Sequence, residues 1–173
     1  MADSLVYVSL QQSDLHCISA FESIKHSLDF KALKSLRRYR LLNISVDGAS
    51  QVQADGAAAA FISAALDIVN PNKESVAFEL PKLNENRDEV VLGLEVMATD
   101  AHMRQVEVPS MVRFPDIRSV DQRLYWVLHL DTTGSDPESV ISDAIRVCGP
   151  TVSRAQGLLV NPLFESYSFQ RLS

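Results

Sequence analysis

Apolar and polar residues alternate along Arg123–Asp131. Leu124, Trp126, Leu128 and Leu130 therefore share one face of a strand, and His129 and Asp131 share the other. Thr132-Thr133-Gly134-Ser135 reads as a turn. Asp136 then caps a helix from Pro137 to about Cys148, which Gly149-Pro150 ends.

Leu5–Leu10 alternates in the same way and is expected to be a short strand. Ser13 or Asp14 can open a helix in which Leu15, Ile18, Phe21, Ile24 and Leu28 recur every three or four residues. Phe30–Leu36 either continues it or turns. Arg38–Val46 is a strand, Asp47-Gly48 a turn, and Gln51–Gly56 a polar surface loop. Asp55 is then placed to cap an alanine-rich helix over Ala57–Val69, stopped by Asn70-Pro71-Asn72.

Beyond it the pattern shortens to period two. Ser75–Leu80 and Glu89–Ala98 are strands, with the polar connector Leu83–Asp88 between them. Met103–Val108 is expected to be a shorter strand. Ser110–Phe114, bracketed by Pro109 and Pro115, is expected at a sheet edge or in a crossing segment. After the polar Thr151–Gln156, Gly157–Val160 suggests one more short strand, and Phe164, Tyr167 and Phe169 form an aromatic end.

No repeat or linker stands out, so the 173 residues are expected to form a single compact domain. Helices interspersed among strands predict an α+β fold: a two-layer, mixed or mainly antiparallel sheet packed with about three helices. A β-sandwich or jelly roll with inserted helices is the competing architecture, and the 6 glycines weigh against its many tight turns.

The net charge of −6 argues against general nucleic-acid affinity. One stretch runs the other way: Lys31, Lys34, Arg37, Arg38 and Arg40 occur without an intervening acid. A helix would bring Lys31, Lys34 and Arg38 to one face, suited to an acidic protein partner and, less well, to the phosphates of nucleic acid or lipid headgroups. No stretch is apolar for the ~18 residues that cross a membrane, and no secretion signal opens the chain. An intracellular, cytoplasmic protein is expected, free or incorporated into a larger particle. Cys17 and Cys148 are expected to be buried thiols.

Candidate chemistry is sparse. His16, His26, His102 and His129 have no metal-ligand spacing, and no serine or cysteine sits in a nucleophile frame. No metal or cofactor is expected. Asp131–Asp136 lies between a strand and a helix, where α/β enzymes hold ligands, which makes His129, Asp131, Thr133 and Asp136 the candidate ligand contacts.

The expected function is that of a non-catalytic structural protein acting through self-assembly, such as a virion shell, capsid, coat or matrix subunit. Phe61, Phe164, Tyr167 and Phe169 are its expected homo-oligomer contacts. The alternatives are a small-molecule enzyme using Asp131–Asp136 and a regulatory protein-binding module using Lys31–Arg40.

Overall fold

The structure, a computed structural model, describes residues 2–48, 50–81, 88–150 and 158–173. The expected connector Leu83–Asp88 lies almost wholly outside them, as does Thr151–Gln156. Strands β1 (Ala2–Leu10), β2 (Leu33–Val46), β3 (Glu74–Ala77), β4 (Glu89–Ala98), β5 (Ile117–Asp131) and β6 (Glu165–Arg171) form one sheet in the order β3-β1-β2-β5-β4-β6. Helices α1 (Leu15–Glu22), α2 (Gln51–Ala64), α3 (Ala101–Arg104) and α4 (Pro137–Cys148) complete the α+β fold. The sheet is open and single, which removes the sandwich and jelly-roll alternative.

That order is a palindrome. Each half of the chain runs strand, helix, strand, helix, strand. In each half the first strand lies between the other two: β1 pairs antiparallel with β2 and β3, and β4 with β5 and β6. The sequence carries the same duplication. Asp14-Leu15-His16 and Asp100-Ala101-His102 each start the first helix of a half, with the aspartate accepting from the histidine N–H at 3.0 and 2.9 Å. Val69–Leu80 and Val160–Arg171 share valine, asparagine, proline, glutamate, serine and phenylalanine at matching places. The expectation that the chain holds no repeat is therefore corrected.

The chain also divides into two compact units, each assembled from both halves. Unit 1 comprises Met1–Gln12, Tyr39–Pro81 and Asp100–Arg123; unit 2 comprises Ser13–Arg38, Lys82–Thr99 and Leu124–Ser173. Within unit 1, Val6, Val8, Leu42, Ile44 and Val46 pack beneath the α2 stripe Ala54, Ala58, Phe61 and Ile62 and its C-cap Ala65. Small alanines let α2 lie close to the strands, and Phe61 meets Phe114 edge-on at 5.3 Å. Within unit 2, Leu92, Leu94, Trp126, Leu128 and Leu130 pack under Cys17, Ile24, Val140, Ala144 and Cys148. Burying each of the larger side chains contributes about 1.5–3 kcal/mol.

Several local expectations need correction. Helix α2 begins at Gln51, because Ser50 and Gln53 form a capping box in which Gln53 Oε1 accepts from Ser50 N–H at 2.9 Å; Asp55 is a helical residue, not the cap. Lys31–Arg40 holds no helix: β2 begins at Leu33. Helix α1 stops at Glu22 and continues as a π-helical turn, Ser23–Ser27. Met103–Val108 is not a strand; α3 covers its start and only Gln105 bridges to the sheet. Of the two forms expected for Ser110–Phe114, the edge strand is excluded: Pro109–Arg113 is a 3-10 turn. Residues 158–160 form no strand.

Candidate functional site

The turn after β5 is built from ordinary backbone satisfaction. Thr133 N–H donates to Asp131 Oδ1 at 2.9 Å, Ser135 N–H to Thr132 O at 3.0 Å, and Ser139 N–H to Asp136 Oδ2 at 3.0 Å. Gly134 takes the positive φ of 70° that the turn requires. The Thr133 hydrogen bonds hold the Asp131 carboxyl below its ordinary range. His129 is half-buried with its Nε2 lacking a partner among the described residues; burial first, then the nearby Arg37, depress its pKa. His129 and Asp131 do share a face of β5, but the hydrogen bonds of Asp131 and Asp136 serve turn and cap.

The basic stretch is dispersed among acids distant in sequence. Lys31 pairs with Asp29 at 2.7 Å, Lys34 with Glu89, and Arg38 with Asp14 at 3.3 Å. Arg38 also lies over the Trp126 ring, 5.8 Å from its centroid. Arg40 reaches Glu74 at 2.9 Å and the Ile68 carbonyl at 2.7 Å. Arg37 is exposed, and among the described residues no carboxylate pairs with it. Lys31, Lys34 and Arg37 are exposed, so part of this basic stretch lies at the surface, with the Lys31 pair itself in solvent.

Neither cysteine is poised to react. Burial, with Asp14 adding to it, raises the Cys17 thiol, whose Sγ approaches the Leu36 carbonyl at 3.2 Å; burial pushes Cys148 up to about 12. Among the described residues no cluster of His, Cys, Asp or Glu is arranged to hold a metal, and no helix is long and apolar enough to cross a membrane. A groove of about 270 Å³ in unit 1 lies between α2 and β3, lined by Ile62, Leu66, Val76 and Phe78. A shallower one of about 310 Å³ in unit 2 runs past Cys17, Phe21 and Leu36.

Of the aromatic residues expected at an interface, Phe61 has no surface to offer: it is 0% exposed in the unit 1 core. Tyr167 and Phe169 belong to β6, the outermost strand of unit 2, and Phe164 to the turn just before it. Phe169 is half-buried against the core and meets Tyr167 edge-on at 5.9 Å, while Tyr167 remains 42%, Phe164 60% and Leu163 69% exposed.

β6 terminates the sheet, and its backbone polarity can be assigned. Thr99 N–H donates to Phe164 O and Leu172 N–H to Val91 O, both at 2.8 Å. Even-numbered residues of this segment thus point their amides at β4, and Tyr167, Phe169 and Arg171 point theirs away from it. Among the described residues no strand covers that outer side. Sequence reasoning found the aromatics but missed the free strand edge, although the second Val-Asn-Pro-x-x-Glu-Ser motif could have shown where the strand begins. No protein-family model, curated protein or solved structure matches the chain.

Proposed function

We propose that this protein is a non-catalytic structural subunit that acts by associating with copies of itself, as the subunits of a shell, coat or matrix layer do. The observation that carries this reading is the outer side of β6, where backbone amides unpaired among the described residues adjoin the exposed Leu163, Phe164 and Tyr167. A strand edge of that kind is a template for another chain unless shortness, charge or cover blunts it. The polar groups at Asp131–Asp136 are used within the turn, and the basic residues are mostly paired, which leaves those regions less to offer a partner. Such a subunit would work inside a cell or within a larger particle.

Size-exclusion chromatography with light scattering, across protein concentration and salt, tests the reading. Discrete oligomers whose population grows with concentration are expected. A mass equal to that of one chain at every concentration would overturn it.

A further inference from the structure

Resting on the self-association reading, the geometry points to a specific contact: β6 pairs antiparallel with β6 of a second copy, centred on Ser168. The strand reads Glu165-Ser166-Tyr167-Ser168-Phe169-Gln170-Arg171, and it is complementary to its own reversal. In that register Glu165 faces Arg171 of the second copy, Tyr167 faces Phe169, and Ser168 faces itself.

Backbone parity agrees. The residues that would exchange hydrogen bonds across the contact are Tyr167 with Phe169, and these carry the outward amides. Arg171 N–H likewise faces the Glu165 carbonyl of the copy. Glu165 N–H takes no part, because it donates to Asn161 O at 2.8 Å. An odd shift of register would set an outward amide against an inward one.

The charges agree as well. Glu165 Oε2 accepts from Asn161 N–H at 2.6 Å, and among the described residues no cation pairs with its carboxylate. Arg171 holds Glu138 at 3.0 Å, but both side chains are more than half exposed and that pair is weak. The aromatic pair and the two symmetry-related charge pairs are the cross-strand combinations that stabilise a sheet. Because the contact is isologous it closes at two copies, whereas joining β6 to β3 of a neighbour would be heterologous and build a ring or an open chain.

The experiment is disulfide capture in the full chain. Ser168 is exposed and would face its counterpart in a non-hydrogen-bonded pair, about 4.5 Å between Cα atoms, within the span of a disulfide. Both native thiols are buried. S168C is expected to oxidise to a covalent dimer, and Q170C, offset from its own counterpart, is not. R171E alone is expected to weaken association about tenfold, and E165R/R171E to restore it, with E138Q as the control that leaves it unchanged.

A wild-type chain that stays monomeric overturns the self-association reading together with this contact. A wild-type oligomer in which S168C fails to cross-link, Q170C cross-links equally well, or the charge swap fails to rescue overturns the contact alone.

Discussion

β3 and β6 close the same βαβαβ topology and follow the same turn, yet the two edges are treated differently. In both turns the asparagine N–H donates to the glutamate four residues on, Asn70 to Glu74 at 2.8 Å and Asn161 to Glu165 at 2.6 Å. After that they diverge. β3 pairs over four residues only, and Arg40 clamps its glutamate. Where β6 has Arg171, the first copy has Leu80, so β3 is not complementary to itself. β6 pairs over seven residues and exposes an aromatic ring. The two matching halves end in two edges; shortness and a clamp blunt one, and the other keeps the length and charges for pairing.

The largest effect expected separates core from edge. F61A removes a fully buried ring from unit 1 and should cost about 3–5 kcal/mol, a large part of a typical domain's stability. Y167S should leave the thermal midpoint within about 3 °C of wild type and weaken association instead. Thermal unfolding and light scattering on both variants decide it. Equal destabilisation by both would erase the distinction between the two aromatics.

Second in size is the clamp. Arg40 and Glu74 are both less than a quarter exposed, and E74Q should cost about 1–2 kcal/mol. E165Q keeps an oxygen for Asn161 N–H and should cost less than about 1 kcal/mol when measured on dilute, unassociated protein. Urea titration of each variant reads the difference. A larger loss at Glu165 would mean that the second turn, not the first, is the firmly held one.

A third comparison concerns geometry alone. Ala77 occupies in β3 the place of Ser168 in β6. A77C should remain a monomer on non-reducing gels under the oxidation that dimerises S168C. Cross-linking through Ala77 would show that both edges pair and that the assembly is open-ended.

How much of this could be read beforehand follows from where the information lies. β4 and α4 were legible to the residue, because an alternating run and an Asp-Pro start with a Gly-Pro stop are local signals. The stripe of α1 was legible for the same reason. The start of β2 was not: its charges are neutralised by Asp14, Glu89 and Glu74, which only the fold brings near. β5 began earlier than expected because Ile117–Gln122 is polar on its open face and follows a proline. The repeat lay in plain view as Val-Asn-Pro-x-x-Glu-Ser, but the halves differ elsewhere, and apolar periodicity cannot distinguish a duplicated strand from any other. At the site, the aromatic end was legible as apolar surface. Which ring was buried depended on α2 lying over unit 1.

The smallest effect tests whether the halves also differ in their response to acid. Ser45 lies one residue before the end of β2, and His129 two residues before the end of β5. Ser45 Oγ donates to Asp3 at 2.7 Å and cannot titrate in this range. His129 can, and burial together with Arg37 and Lys34 disfavours its imidazolium against the weaker pull of Glu89. In the unfolded chain it ionises near the ordinary 6.5. Above that value both states hold neutral imidazole, and its contribution to stability is fully present. As pH falls below it, the unfolded chain takes up a proton that the folded chain resists, so stability declines until the depressed folded value has been passed. H129S should flatten this slope in urea midpoints measured at about pH 7.5 and 5.5, while S45A should leave it in place. A slope unchanged by H129S would mean that the half-buried imidazole is better solvated than its surroundings indicate, and the two strand ends would then be alike in their indifference to mild acid.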